Sequence, residues 1–173
     1  ALALCADEPR ILLQRVECLF MLRDFQSAKA LVTQLAKINT NPTQLAHLSS
    51  HEILVQYDKT GMFLSNLNCH ELALTQYQLA TKRFPSNAQL FYNTATTLRF
   101  LGSTRDAIQA LNQCLALNPL HYEALGLKTS LVKQTTSHNE LEPLKQALAN
   151  PKLAAEGKIN LHYALAKTYD DMS

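Results

Sequence analysis

LVQYDKTGMFLSNLNCHELALTQYQLATKRFPSN (54–87) and AQLFYNTATTLRFLGSTRDAIQALNQCLALNPLH (88–121) are two passes through one pattern. Laid over one another without a gap, at an offset of 119 − 85 = 34 residues, like falls on like. Tyr57 meets Phe91, Gly61 meets Ala95, Leu64 meets Leu98 and Ala73 meets Ala107. Tyr77 then meets Leu111, Ala80 meets Cys114, and Pro85 meets Pro119. A fixed period of tens of residues signals stacked helical units, each able to bury its apolar face only against a neighbour.

The spacing has a physical cause. Large apolar residues at 57, 64, 91 and 98 recur on one helical face. Gly61 and Ala95 sit between them, where a small side chain admits a partner helix, and Ala73, Ala80, Ala107 and Cys114 do the same on the second helix of each pair. Asn68 and Gly102 fall at the turns, where a left-handed residue is often needed. Pro85 and Pro119 close each unit. The double unit resembles two tetratricopeptide (TPR) repeats, whose period is also about 34. That resemblance implies an all-α fold, a TPR-like right-handed superhelix of antiparallel helix pairs, here with about nine helices.

Composition agrees with an all-α class. Gly and Pro number only 4 and 6 among 173 residues, and the apolar spacing is helical rather than alternating. Lys and Arg total 16 against 14 Asp and Glu, and no basic run exceeds Lys82-Arg83, which argues against a nucleic-acid partner. No apolar run reaches the roughly 18–20 residues of a membrane span, and no secretory pattern opens the chain. Cys5, Cys18, Cys69 and Cys114 make no CxxC pair. The expectation is a protein with reduced thiols, no membrane partner and a cytoplasmic setting.

Outward from the clean pair the pattern loosens. Ala1–Ala6 (ALALCA) aligns with Cys114–Pro119 (CLALNP), as the end of a preceding repeat would. A first repeat near 9–42 pairs a helix over about Pro9–Leu22 with one over about Phe25–Ile38, with Leu12, Val16, Leu19, Ala28, Val32 and Leu35 inward. The next repeat starts 45 residues later, 34 plus 11, and the extra residues within Thr43–Ile53 read as added turns of one long helix over 43–66; a break at Ser49-Ser50 is the alternative. Helices are expected near 70–84, 88–101 and 104–117. An irregular unit over 122–150 follows, with helices over about Tyr122–Gln134 and Glu140–Ala149. An incomplete repeat spans 154–173. At an offset of 162 − 91 = 71 residues, His162 takes the place of Phe91, Ala166 of Ala95 and Tyr169 of Leu98, leaving Leu161, Leu165 and Tyr169 without a partner helix. On this reading 1–173 is a single repeat domain and a fragment of a longer protein.

Catalytic chemistry finds no support. His47 and His51 have the i, i+4 spacing of a zinc pair, but position 55 is Val and no third ligand is near in sequence, so two solvent-facing histidines are expected. The four glycines are isolated and build no phosphate loop. The remaining candidate is the concave face of the first helices. It would present Lys59, Met62 and Asn66, then Tyr92, Asn93, Thr96 and Arg99, then Ser130 and Lys133. Asn, Arg and Lys hold a peptide backbone or carboxylate by charge-assisted hydrogen bonds. The expected partner is a protein or peptide.

FYNTATTLRFLG (91–102), NPLHYEAL (118–125), KQTTSHNELEPL (133–144) and INLHYALAKTYDDMS (159–173) occur in that order. The set resembles the N-terminal repeat region of bacterial TPR–sulfotransferase fusion proteins, above all in Leu161-His162-Tyr163-Ala164-Leu165 followed by Asp170-Asp171. The resemblance implies a parent enzyme using phosphoadenosine phosphosulfate in a later domain. It carries no catalytic residue and no cofactor into this chain, whose part would be recognition or scaffolding. A stand-alone adaptor, an oligomerisation module self-associating through the last helix, and the repeat region of another transferase, such as a glycosyltransferase, are the competing readings.

Overall fold

The computed structural model describes residues 8–173, so Ala1–Ala6 and Cys5 lie outside the described residues. Among the described residues there are nine α-helices, one 3-10 turn and no strand. Helices joined by a short turn pack against one another in pairs, giving the TPR-like all-α arrangement that the 34-residue period implies. The chain forms two compact units, one up to Pro85 and one from Ser86.

The first unit holds α1 (Pro9–Met21), α2 (Phe25–Asn39), α3 (Ser50–Asn66) and α4 (His70–Arg83). Helix α1 starts where Glu8 accepts from the Ile11 amide at 3.1 Å and Pro9 takes the first turn. Its core contains Leu12, Val16, Ala28, Val32 and Leu35, all buried. Val16 fits where a smaller residue is expected. Leu19 is only half-buried.

The long helix over 43–66 does not form. Asn41 accepts from the Thr43 amide and Pro42 opens a single 3-10 turn, Pro42–Leu45. Ser49 is then extended and caps α3: its Oγ accepts from the Glu52 amide at 3.3 Å, while its own amide donates to Glu52 Oε2 at 2.8 Å. This reciprocal capping box satisfies two amides that a continuous helix would have bonded internally. The 11 extra residues put Leu45 and Leu48 into the core of the unit instead. A buried polar group spans the same core: Asn39 Nδ2 donates to Gln76 Oε1 at 2.9 Å and Thr60 Oγ1 at 3.2 Å, and Gln76 Nε2 donates to the Ala36 carbonyl.

The second unit holds α5 (Ala88–Phe100), α6 (Thr104–Leu117), α7 (Tyr122–Leu131), α8 (Leu141–Leu148) and α9 (Ala155–Met172). Ala95, Ala107, Leu111 and Cys114 are fully buried, as the repeat pattern requires. Helix α7 stops three residues before Gln134, because Val132 is extended. Leu125, Leu144, Ala147, Leu161 and Ala164 then form a joint core of α7, α8 and α9. The buried Thr94, Thr129 and Thr168 hydroxyls donate to carbonyls four residues back, so none is left without a partner in the apolar interior.

The 71-residue register for α9 is overturned. Ala166 and Tyr169 are exposed where Ala95 and Leu98 are buried, and the helix buries Gly157, Leu161, Ala164 and Thr168 instead. The short irregular unit before it is the cause: α8 has only 8 residues, so α9 docks on α7 with a different face. Leu161 is in the core, and the exposed apolar residues of α9 are Ile159, Tyr163 and Tyr169.

Three helix pairs share one turn. Arg23, Asn68 and Gly102 are left-handed, at φ of 59°, 57° and 77°. At each, the next residue's amide reaches back to the helix: Asp24 to the Leu19 carbonyl at 2.9 Å, Cys69 to Leu64 at 2.8 Å, Ser103 to Leu98 at 2.9 Å. Arg23 alone carries a long side chain in this conformation. Arg23→Gly should relieve about 1–2 kcal/mol of left-handed strain against about 0.5–1 kcal/mol of backbone entropy. The urea midpoint should rise slightly; a fall would mean that the Arg23 side chain contributes more than its backbone costs.

Candidate peptide-binding groove

The first helices of the second unit, α5, α7 and α9, line an open groove of about 440 Å³. Tyr92, Thr96 and Arg99 come from α5; Glu123, Gly126, Leu127 and Ser130 from α7; Asn160, Tyr163, Ala164 and Lys167 from α9. The groove mixes polar side chains with apolar and aromatic walls. Its floor depends on Gly126: a Cβ there would fall on Asn160 Oδ1, so the missing side chain is what lets the Asn160 carboxamide lie across α7. Asn160 is exposed, and no intramolecular hydrogen bond engages its carboxamide among the described residues. Tyr163 stands at the rim, 75% exposed. Arg99 makes no ion pair among the described residues and lies over the Phe100 ring at 4.8 Å.

Of the nine residues expected on the concave face, Tyr92, Thr96, Arg99 and Ser130 come together here. Asn93 is turned along α5, where its Oδ1 accepts from Gln89 Nε2 at 3.0 Å. Lys133 is exposed beyond the end of α7 and lines no part of the groove, because the helix that would carry it ends at Leu131. Lys59, Met62 and Asn66 belong to the first unit. Lys59 there borders a separate slot of about 300 Å³ between α1 and α3, with Leu13 and Val55, and is ion-paired with Glu17. Met62 and Asn66 are exposed on α3 outside that slot.

Sequence reasoning missed Glu123, Gly126 and Leu127 of α7 and Asn160, Tyr163, Ala164 and Lys167 of α9. The signal was the 34-residue step itself, taken twice: Tyr92, Gly126 and Asn160 are so spaced, as are Thr96, Ser130 and Ala164. The 71-residue offset hid it.

His121 joins the groove wall to the start of α7. It is 7% exposed, and its ring stacks on Tyr92 with centroids 5.1 Å apart. Nδ1 accepts from the Ala124 amide at 3.3 Å, capping the helix, which assigns the ring proton to Nε2 and its donation to Gln89 Oε1 at 3.2 Å. Glu123 Oε2 also approaches Nδ1, at 3.2 Å. Burial pushes His121 below its usual 6.5 despite the opposing pull of Glu123.

At the other end of α7 side chains of α9 replace the missing turn. Asp171 Oδ2 accepts from the Gln134 amide at 2.9 Å and pairs with Lys167, whose Nζ also donates to the Val132 carbonyl at 3.4 Å. These contacts hold the Asp171 carboxyl below the usual range, the Gln134 amide being the larger cause. Lys128 and Glu140, 2.7 Å apart, tie α7 to the start of α8.

His47 lies in the turn before α3 and contacts Glu8 at 3.3 Å, while His51 is on α3, so the two do not share a helix face. Among the described residues no three His, Cys, Asp or Glu are grouped to hold a metal ion, Cys18, Cys69 and Cys114 are unpaired, and no helix is long and apolar enough to cross a membrane.

No protein-family model and no curated protein matches the chain. Solved structures of MamA match it in fold. One is similar at a TM-score of 0.65 and 14% identity, over 95% of this chain and 82% of that one. MamA from Desulfovibrio magneticus RS-1, from residue 41 to its end, is similar at 0.58 and 15% identity, over 95% and 76%. A double mutant of MamA RS-1 gives 0.58 and 17%, over 92% and 76%. MamA is a TPR-like helical repeat protein. At these identities the likeness is one of fold.

The histidine sets a pH dependence. Its folded value is lowered, so the stability it contributes is fully present above the unfolded value near 6.5 and is lost as pH falls from there through the folded value. Denaturant midpoints should therefore drop between about pH 7.5 and about pH 5. His121→Asn, a non-titrating capping residue, should flatten that slope; an unchanged slope would place the dependence elsewhere.

Proposed function

We propose that this chain is a non-catalytic protein-interaction module that holds an extended peptide along the groove of α5, α7 and α9. The observation behind this reading is Asn160: a carboxamide with no intramolecular hydrogen bond among the described residues, lying over Gly126 on the floor of the groove. A carboxamide carries one acceptor and two donors, the complement of a peptide unit in a partner chain. Tyr92 and Tyr163 supply apolar walls with polar tips, and Arg99 an anchor for a carboxylate or backbone carbonyl. The TPR-like fold supports the reading, since such arrays present their first helices to ligands.

The test starts from peptides selected by panning a random library against the whole chain. Asn160→Ala combined with Tyr163→Ala should weaken the selected peptides at least about tenfold, roughly 1.4 kcal/mol, at unchanged melting temperature. Gly126→Ala should weaken them too by displacing Asn160, while stability holds or rises by up to about 1 kcal/mol from helix propensity. Selected peptides that bind all variants equally would remove the groove from the function.

The ordered motifs through 91–173 support a finer context: the recognition part of a cytoplasmic sulfotransferase-family protein whose phosphoadenosine phosphosulfate site lies in a later domain. A downstream coding sequence without a phosphate-loop α/β domain would end that reading. Self-association through α9 is favoured by one feature, the exposed Ile159, Tyr163 and Tyr169. Sedimentation velocity over a concentration series should then report a dimer that Ile159→Asp abolishes; a monomer throughout would exclude it.

A further inference from the structure

We infer that His121 is the positioning residue of the groove, a one-proton selector between two arrangements of its wall. The inference rests on the peptide-groove reading, but its geometry stands apart from any ligand. Nδ1 of His121 faces a donor, the Ala124 amide at 3.3 Å, and an acceptor, Glu123 Oε2 at 3.2 Å. It serves one of them at a time. As a neutral acceptor it caps α7 and leaves the Glu123 carboxylate to the groove and to the Tyr122 hydroxyl, which donates to it. As a protonated donor it loses the cap and takes Glu123 as its ion-pair partner.

Both consequences reach residues that line the groove. Glu123 is one of them. Tyr92 is another, and its ring rests on the imidazole at 5.1 Å. The Ala124 amide belongs to the first turn of α7, the helix that carries Gly126 and Ser130 along the floor. The imidazole is held on its far side, where Nε2 meets Gln89 of α5, so the choice falls on the Nδ1 side.

Tyr92 faces His121 from α5, with Arg99 beyond it; Cys114 comes from α6; Glu123 and Tyr122 belong to α7 itself; Glu156 of α9 stands beyond Tyr122. Burial raises Tyr92, and it pushes the Cys114 thiol up to about 11, so both stay neutral through the range in which a histidine titrates. Glu123 is the carboxylate in direct reach of Nδ1. Burial favours the neutral state near pH 7, so the capped arrangement is the resting one and acidification selects the other.

The experiment is a pH titration of the full chain by NMR, with no ligand present. The imidazole of His121 and the amides of Ala124, Gly126 and Ser130 are followed from about pH 8 to about pH 4.5. All four should move with one midpoint below 6.5, and Ala124 hydrogen exchange should speed up through it. In Glu123→Gln the common midpoint should fall further, since the carboxylate that favours imidazolium is gone. In His121→Asn, which keeps a capping side chain, the shared transition should vanish while far-UV circular dichroism is retained. A midpoint at or above 6.5, a His121 titration that leaves Gly126 and Ser130 still, or a transition that survives in His121→Asn would each overturn the inference. Failure of peptides to bind at any pH would sink the groove reading instead and leave this titration untouched.

Discussion

The helix pairs depend on one backbone constraint, a single left-handed residue between two helices. At Arg23, Asn68 and Gly102 the chain reverses without a loop, because the residue that follows both closes the first helix and starts the second. Asp24, Cys69 and Ser103 each donate back across the turn, and each precedes the first residue of the next helix. So short a connection leaves little freedom in where the second helix begins. It fixes which side chains face one another, and hence which must be small. Gly61 shows the result: a Cβ there would lie 2.6 Å from the buried Tyr77 ring, a distance no packed pair sustains. The small residue follows from the turn.

Where the constraint is missing, so is the regular repeat. Thirty-four residues after Gly102 stands Thr136, a β-branched residue for which a positive φ is a genuine outlier. Helix α7 ends early at Leu131, Val132 is extended, and the connection to α8 becomes a polar loop. The open end of α7 still has backbone groups to satisfy, and side chains of α9 do it: Asp171 takes the Gln134 amide and Lys167 the Val132 carbonyl. A contact some 37 residues distant in sequence replaces a local turn.

That substitution explains what could be read in advance. The period, the two turns at Asn68 and Gly102, the small positions Ala73, Ala107 and Cys114, and the helices over 70–117 follow from residues that interact within one repeat. The break before α3 is also written locally, as Ser49 followed three residues later by Glu52, and it is the Ser49-Ser50 alternative that forms. The register of α9 was different in kind. It is set by how an 8-residue α8 lets α9 reach α7, and no feature of residues 154–173 alone encodes that. The groove inherits the same division. Its α5 side and Ser130 were legible from one repeat, while Asn160 needed the 34-residue step taken twice, past the irregular unit. The buried polar group of Asn39, Thr60 and Gln76 was invisible because each member reads as a surface residue until its partner, up to 37 residues away, is known.

The irregular end also gives the groove its chemistry. In a regular continuation α7 would extend, and Lys133 would stand on it as a second cation beside Arg99. Instead α7 stops, and the cation at that end is Lys167, already bound to Asp171 and to the Val132 carbonyl. A paired cation attracts an anionic ligand less than a free one, and separating the pair would also release the end of α7. Arg99 is left as the cation in the groove with no ion-pair partner among the described residues. Glu123 lies toward the His121 end of α7. The groove thus holds one cation without an ion-pair partner among the described residues, one carboxylate beside His121, and Asn160 lying over Gly126.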